Sequence, residues 1–170
     1  AMCVENTGWS RLEYGETYDT PIEGPGVSRS FYTYPYEKSG FPEDLSGVGK
    51  ADLGRMGENL AAVFLEDLGY SIIQQNWHCR RGEVDIVTET PEGCLALVEV
   101  KTRIDGGFGD CTPECAVDED KQLRYGLLAK EYLGGAVDSV PSRCDVVSIV
   151  VRPGSDLEIR LLTGAFFLDR

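Results

Sequence analysis

Residues 82–103 read GEVDIVTETPEGCLALVEVKTR, and this stretch decides the fold. Two apolar runs typical of buried strands are joined by TPEGC at residues 90–94. Proline suits the first corner of a type I turn, and glycine suits the left-handed position that closes a three-residue hairpin loop. The stretch therefore predicts an antiparallel β-hairpin whose loop is flanked by Thr90 and Cys94.

The predicted loop also sets the register of the two strands. With this loop, Asp85 faces Glu99 across the hairpin, and Glu83 faces Lys101 on the same side. The other side takes the apolar residues Val84, Ile86, Val98 and Val100. A slip of one residue would move Asp85 and Glu99 to opposite faces, so the loop decides whether the two carboxylates meet.

Two facing carboxylates need a compensating positive charge, because like charges opposite each other destabilise a sheet. A divalent cation is the natural candidate, since Mg²⁺ is held by a few carboxylates together with water and phosphate. Lys101 follows Glu99 by two residues and would project beside that cation as a mobile point charge. The alternative is an exposed polar sheet face in which Glu83 pairs with Lys101 and no metal binds.

The composition limits the classes of function. The 170 residues suffice for one domain with a real core, and 29 Asp and Glu against 16 Lys and Arg give a net charge of −13. Such acidity opposes general nucleic-acid binding, because phosphate attraction scales with the number of basic contacts. We therefore expect either weak intrinsic DNA affinity or a locally basic stripe.

Several other classes of protein are disfavoured. No apolar run approaches the ~20 residues of a membrane helix and no signal peptide opens the sequence, so a cytoplasmic protein is expected. The six cysteines are scattered, which indicates free thiols. Cys111 and Cys115 form C-x3-C, but no second Cys or His pair gives the spacing of a zinc module. The single histidine, His78, is interpreted as a surface or turn residue.

The first 49 residues differ from the rest. They mix Gly, Pro, Ser, Glu and Tyr without a helical or alternating period, which predicts an acidic extension with little regular structure. Its aromatic stretch FYTYPYEKSGF, at 31–41, is expected to dock on its own domain, although partner docking or base stacking stays open. Residues 50–170 form the predicted folded domain.

A helix is predicted from the N-cap Asp52 to Gly69, where glycine ends it. Its apolar stripe, at spacings of three and four, consists of Leu53, Met56, Leu60, Phe64 and Leu68. Glu58 lies away from the centre of this stripe and one turn before two small alanines. Either Glu58 looks into a cleft, or it is an ordinary exposed glutamate of a helix surface.

The remaining elements alternate strands and helix. YSIIQQN at 70–76 predicts a short strand, and WHCRRG at 77–82 a turn into the hairpin. The Gly-rich IDGGFGDC at 104–111 is interpreted as a mobile flap, and RCDVVSIVV and LEIRLL as two final strands joined at Pro153-Gly154. The order of helix, three strands, helix and two strands predicts an α/β fold with a mixed sheet flanked by helices.

The second helix spans EDKQLRYGLLAKEYLG, with Asp118 as its predicted cap. Its apolar face is expected to hold Leu123, Leu127 and Leu128, with Tyr132 nearby. Lys121, Arg124 and Tyr125 share one flank, which is either simply solvated or in contact with phosphate.

Three spaced motifs resemble the YraN family of bacterial proteins. They are G-x-x-G-E-x-x-A at 54–61, GEVD at 82–85 and EVKTR at 99–103. The similarity extends over roughly residues 50–170. It implies the restriction-endonuclease-like fold, written PD-(D/E)xK, of Holliday-junction resolvases and RecB-type nuclease domains.

The resemblance also implies roles for individual residues. Asp85, Glu99 and Glu58 would bind Mg²⁺ or Mn²⁺, with the carbonyl of Val100 as a further ligand. Lys101 would activate the attacking water or stabilise developing charge, and our register assigns Glu83 to orienting that lysine. Gln122 and Tyr125 resemble a glutamine and a tyrosine on the equivalent helix of RecB-like nucleases, at a shorter spacing. The residues expected to contact substrate are Arg103, Lys121, Gln122, Arg124 and Tyr125.

The expected function is a metal-dependent DNA endonuclease that acts on branched, damaged or single-stranded DNA. One alternative is a non-catalytic adaptor that keeps the nuclease fold and binds nucleic acid or protein. Another is an assembly protein that works through its aromatic N-terminal stretch. The residues leave open whether the protein forms a homodimer.

Overall fold

The described residues, 20–21, 28–105, 119–136 and 138–167, form one mixed β-sheet with a helix on each face in the computed structural model. The strands are β1 (Thr20–Pro21), β2 (Ser28–Tyr34), β3 (Ser71–Cys79), β4 (Gly82–Glu89), β5 (Leu95–Ile104), β6 (Ser142–Val151) and β7 (Leu157–Phe167). The helices are α1 (Lys50–Asp67) and α2 (Glu119–Leu133). Neither of these two helices is both long and apolar enough to cross a membrane.

The strand order is β1-β2-β7-β6-β5-β4-β3. Only β5 and β6 run parallel, and the other neighbours are antiparallel. Strand β5 therefore pairs with the hairpin strand β4 on one side and with β6 on the other. The predicted α/β class and the order of helix, three strands, helix and two strands are confirmed, and they are consistent with a restriction-endonuclease-like core.

The hairpin of β4 and β5 has the predicted loop and register. The amide of Thr90 donates to the carbonyl of Cys94 at 2.8 Å, and Gly93 has the expected positive φ of 82°. The ladder pairs Ile86 with Val98, and its other pairs keep the same register: Val87 with Leu97, Thr88 with Ala96, and Glu89 with Leu95. The ladder stops one residue before Asp85 and Glu99.

The sheet separates two apolar clusters. The larger one lies under α1 and includes Phe64, Ile86, Val98 and Val100. The smaller one lies under α2 and includes Val87, Leu97, Tyr125 and Leu128. Odd-numbered residues of β5 face α2, and this places Glu99 on the α2 side of the sheet.

Helix α1 follows the predicted stripe but begins earlier than expected. Its N-cap is Gly49, which makes no side-chain capping bond, so the prediction that Asp52 caps the helix is wrong. Asp52 instead lies in the first turn, where a negative charge is favourable, and contacts Arg55. Gly69, with φ 91°, follows the helix as predicted.

The close contact between α1 and β5 depends on a glycine. A Cβ added to Gly57 would lie 2.8 Å from Cβ of Thr102 and still closer to its hydroxyl oxygen. The hydroxyl of Thr102 is buried and makes no hydrogen bond within the described residues. The absent side chain of Gly57 thus brings the next residue, Glu58, towards the end of β5.

Two other predicted elements are corrected, in β3 and in α2. Strand β3 continues through Trp77 to Cys79, whereas WHC was predicted to be turn. On α2, Leu123 is 69% exposed and Leu127 is 46% exposed, so they do not face inward. The helix buries Tyr125, Leu128 and Ala129, and Tyr125 packs towards a polar partner on the sheet. The predicted cap Asp118 and the flap at 106–118 lie outside the described residues.

The N-terminal region contributes a strand that sequence analysis did not predict. Strand β2 pairs with β7 along its whole length, from Ser28 opposite Thr163 to Tyr34 opposite Leu157. The predicted docking of the aromatic stretch is confirmed, because Tyr32, Tyr34 and Phe41 are buried in the larger cluster. Residues 28–49 therefore complete the core. The rest of the predicted extension, apart from 20–21, is outside the described residues.

A buried polar network, here called the Asp145 network, consists of Tyr70, Arg143, Asp145 and Gly164. Asp145 is fully buried on β6. It accepts hydrogen bonds from Nε of Arg143 at 2.9 Å and from the amide of Gly164 at 2.8 Å. Arg143 also donates to the hydroxyl of Tyr70 at 3.2 Å. Here β6 and β7 change register between Cys144 and Val146, so the network fixes an irregular part of the sheet.

Candidate active site

The predicted site lies where β4 leaves the regular ladder. The ladder of β3 and β4 includes the pairs Gln75–Ile86 and Trp77–Val84 but not the pair between them. Asp85 is therefore paired with neither neighbouring strand. Opposite it, Asn76 has φ 52°, a left-handed conformation that asparagine tolerates better than most residues. The strand is irregular here, and Val84 packs in the α2 cluster. The prediction that Val84 shares the face of Ile86 is therefore wrong.

Asp85 is partly enclosed and short of positive charge. Its Oδ2 accepts a hydrogen bond from the amide of Val100 at 2.7 Å. It forms no ion pair within 4.0 Å with any described residue. Burial, together with the neighbouring charges of Glu99 and Glu58, raises the pKa of Asp85 to about 7, although the hydrogen bond from Val100 and the charge of Lys101 act in the opposite direction. A cation beside Asp85 would relieve this cost.

Glu99, unlike Asp85, is in direct contact with positively charged side chains. Its Oε1 contacts Nζ of Lys101 at 2.7 Å and Nζ of Lys121 at 2.8 Å, and its Oε2 accepts a hydrogen bond from the hydroxyl of Tyr125. Burial opposes ionisation, but hydrogen bonds from Lys101, Lys121 and Tyr125 outweigh it and lower the pKa of Glu99 to about 2. Glu99 is therefore ionised at neutral pH.

Lys101 lies beside the two carboxylates but is not oriented as predicted. Its ion pair is with Glu99 on its own strand, and no ion pair with Glu83 forms within the described residues. Glu83 is exposed and lies opposite His78 of β3. The expected Glu83–Lys101 pair is wrong because the ladder between β4 and β5 ends before it reaches these residues. The side chain of Lys101 remains 55% exposed, so a ligand can reach it.

Glu58 joins the site from the other side of the sheet. Burial raises the pKa of Glu58, and the charges of Glu83 and Glu99 raise it further, so the three carboxylates are near each other. The side chain of Asn76 donates a hydrogen bond that acts in the opposite direction. Glu58 is half-buried, and the interpretation that it looks into the site stays a prediction. We call Glu58, Asp85, Glu99 and Lys101 the carboxylate cluster.

The residues predicted to contact substrate have different surroundings. Lys121 and Tyr125 point to Glu99, and Tyr125 is completely buried. Arg124 is exposed, lies over the ring of Tyr125 at 5.8 Å, and is near enough to Lys101 to affect its pKa. Gln122 is exposed and Arg103 is half-buried. Direct substrate contact by these five residues stays a prediction.

The donor chemistry of the carboxylate cluster suits a divalent cation, but the arrangement of the described side chains does not form a metal site. Asp85 and Glu58 offer hard oxygen donors whose negative charge is poorly compensated, which is what Mg²⁺ and Mn²⁺ favour. Among the described residues, however, no group of three or more His, Cys, Asp or Glu side chains is arranged to hold a metal ion. Glu99 in particular is turned to Lys101, Lys121 and Tyr125. A metal that uses Glu99 would have to replace some of these contacts.

Comparison with known proteins identifies the family. The family model described as "Uncharacterised protein family UPF0102" matches residues 57–149, which include the whole carboxylate cluster. The chain belongs to the UPF0102 family. The resemblance to the YraN family is thereby confirmed. The match also includes the β4–β5 hairpin, so the UPF0102 region and the candidate site coincide.

Individual UPF0102 proteins match along most of their length. The UPF0102 protein of Syntrophus aciditrophicus is 39% identical over 116 residues, 68% of this chain and 88% of the relative. That of Nocardia farcinica is 44% identical over 126 residues, 72% of this chain and 95% of the relative. That of Trichlorobacter lovleyi is 36% identical over 125 residues, with coverage of 73% and 97%.

Sequence reasoning missed three parts of the UPF0102 site. The left-handed Asn76 beside Glu58 was not noticed, although asparagine near a turn is a weak signal for such a conformation. Gly57 was quoted in a motif without its role in helix packing. Lys121 and Tyr125 were recognised as neighbours four residues apart, but nothing in the sequence indicated that both bind Glu99.

Proposed function

We propose that the protein is a metal-dependent endonuclease that hydrolyses phosphodiester bonds in DNA. The single observation that carries the proposal is Asp85, an enclosed carboxylate without an ion-pair partner among the described residues, next to Glu99, Glu58 and an accessible lysine. A charge without a partner in an enclosed position is unfavourable for folding. Such charges are common at sites where a protein binds a ligand.

Asp85, Glu58 and Glu99 would hold Mg²⁺ or Mn²⁺, and the carbonyl of Val100 would be a further ligand. When bound, such an ion neutralises charge on a phosphate and makes water a better nucleophile. The ammonium of Lys101 is exposed enough to contact a phosphate oxygen and to stabilise negative charge that develops there. The exposed guanidinium of Arg124 would hold a neighbouring phosphate.

The acidity of the chain fits a restricted DNA substrate. With a net charge of −13, long-range attraction to duplex DNA is weak, so binding must depend on a few local cations. Branched, damaged or single-stranded DNA can offer flexible phosphates to such a small basic surface. Homodimer formation remains a prediction, and the proposal does not depend on it.

Cleavage of labelled DNA tests this proposal. Single-stranded, duplex, flap and four-way junction DNA are incubated with Mg²⁺ or Mn²⁺ and the wild-type protein. Asp85→Asn, which keeps an acceptor for the Val100 amide, should lose activity by at least about 100-fold. Glu89→Gln is the matched control, because Glu89 lies exposed at the far end of the same strand. Equal cleavage by Asp85→Asn and wild type would contradict the proposal.

A second candidate is the non-catalytic adaptor. The occupied oxygens of Glu99 favour it, because Lys101, Lys121 and Tyr125 already compensate this carboxylate without a metal. An adaptor would leave every DNA intact, whether or not it keeps a metal. Wild-type protein that is inactive on the whole panel and binds no metal would make the adaptor the better description.

A further inference from the structure

The turn between β3 and β4 brings arginines close to α2. Arg80 and Arg81 form this turn, and the amide of Arg81 donates to Sγ of Cys79 at 3.4 Å. The side chain of Arg124 lies across the next residue, because its Cδ is 3.8 Å from the position that a Cβ would take on Gly82. Arg80 precedes Gly82 by two residues, so their Cα atoms are at most about 7.6 Å apart. We call Arg80, Arg81 and Arg124 the arginine surface.

The positive charge of the arginine surface is only partly compensated. Arg80 and Arg124 are both exposed, and neither forms an ion pair with any described residue. Arg81 contacts Glu131 of α2, with Nε at 3.5 Å from Oε2, and both of these side chains are more than a third exposed. The chain has 29 acidic residues and a net charge of −13, so a shortage of acidic partners does not explain the two unpaired arginines.

The arginine surface continues into the carboxylate cluster. Arg124 is near enough to Lys101 for their two charges to interact. Gly82 and Asp85 are three residues apart on β4, a distance of about 10 Å. One DNA strand presents a phosphate for about every 3.4 Å of helix axis, so this distance covers about three phosphates. A strand whose backbone crosses the carboxylate cluster can therefore also reach the arginines.

We propose that the arginine surface binds the phosphate backbone of a DNA strand that lies across the carboxylate cluster. This inference rests on the proposed function and deepens it, because it adds Arg80 and Arg81 to the residues that contact the substrate. Guanidinium groups bind phosphate oxygens through paired hydrogen bonds and are more weakly hydrated than ammonium groups. Contacts to phosphate hold the strand without reading its sequence. The surface thus supplies the few local cations through which so acidic a chain binds DNA.

Fluorescence anisotropy with a labelled single-stranded oligonucleotide in EDTA measures DNA binding without metal and without cleavage. Arg80→Gln and Arg124→Gln should each weaken binding by about 3- to 10-fold. Each should also lower the salt dependence of binding by about one phosphate contact, which a folding defect would not do. Lys38→Gln is the matched control and should change affinity by less than about 2-fold. Lys38 is an exposed lysine that follows β2, and four strands separate β2 from β3.

A variant that gains affinity provides a second test. Glu131→Gln removes the carboxylate that competes with phosphate for Arg81, and it should bind the oligonucleotide about 2- to 3-fold more tightly than wild type. Glu37→Gln removes one exposed negative charge beyond β2 and should bind like wild type. A variant that is merely destabilised would not gain affinity, so this result separates DNA contact from a structural role.

The outcomes separate the inference from the proposed function. Unchanged affinity in Arg80→Gln and Arg124→Gln, with wild-type binding intact, overturns the arginine surface and leaves the nuclease standing. Weaker binding by these variants, combined with no DNA cleavage by wild type in Mg²⁺ or Mn²⁺, supports the surface and removes the nuclease. Absence of DNA binding by wild type and by Glu131→Gln overturns the inference, and an acidic protein then becomes the partner to test.

Discussion

The Asp145 network and the carboxylate cluster both contain enclosed acidic side chains, but they are compensated differently. Asp145 is held by Arg143, by the amide of Gly164 and by Tyr70, all with little access to solvent. In the carboxylate cluster, Glu99 has two lysines while Asp85 has only one amide. The first group gives its buried carboxylate several hydrogen-bond partners, although burial still raises the pKa of Asp145, whereas the second group is unevenly compensated and partly open.

This difference separates two uses of buried charge. A complete network fixes the local structure, and here it holds β6 and β7 together where their register changes. In the uneven cluster Asp85 keeps a raised pKa, a feature that is common at functional sites. Three experiments test this comparison.

Removal of Asp145 should have the largest effect on stability. Asp145→Ala leaves Arg143 and the amide of Gly164 without their acceptor, and breaking such a buried pair costs about 3–5 kcal/mol. Urea denaturation measures the free energy of unfolding. Asp156→Ala, at an exposed position between β6 and β7, should change it by less than about 0.5 kcal/mol. A loss below 1 kcal/mol for Asp145→Ala would show that the network is not structural.

Gly57→Ala should have an intermediate effect, because the new Cβ would collide with Thr102. Overpacking of this kind costs about 1–3 kcal/mol. Gly54→Ala is the control on the same helix, where nothing lies within 4 Å, and it should stabilise by about 0.5–1 kcal/mol. Adding Thr102→Ala to Gly57→Ala should recover part of the loss in urea denaturation. No recovery would mean that the contact with Thr102 is not the cause.

The smallest effect concerns the pH dependence of Asp85. Its folded-state pKa of about 7 lies above the ordinary 3.8, so the folded protein holds this proton more tightly than the unfolded chain. The contribution of Asp85 to wild-type stability should therefore fall as pH rises from about 4 towards 7. Asp85→Asn removes this fall, so its Tm relative to wild type should be a few degrees higher at pH 8 than at pH 5. Glu89→Gln should show no such trend, and an equally flat result for Asp85→Asn would refute the shift.

The hairpin was predictable because its information is local. The turn residues at 90–94 determine the register of the pairs from Glu89–Leu95 to Ile86–Val98, which end one residue before Asp85 and Glu99. The position of Val84 was not predictable, because it depends on the left-handed Asn76 in the neighbouring strand. Strand β2 was missed because tyrosine and phenylalanine give little contrast between its two faces.

The predicted inward face of helix α2 was wrong for a different reason. The spacing of its leucines favours an inward face with Leu123 and Leu127, and the hydrophobic effect alone would agree. The helix instead buries Tyr125, whose hydroxyl binds Glu99 across 26 positions of sequence. The carboxylates of the site were therefore predictable from the pattern of the strands. Their partners on α2 were not, because no local sequence rule predicts a contact between residues 26 positions apart.

The pairing of β2 with β7 has a consequence for how the chain folds. Ser28 contacts Thr163, which follows it by 135 positions. Strand β2 must therefore wait for its partner β7 until β7 has docked on β6, and closing so long a loop is slow. The tyrosines of β2 cover the α1 core only at that late step. Until then the growing chain exposes an aromatic surface and an open sheet edge, the features that recruit chaperones or lead to aggregation.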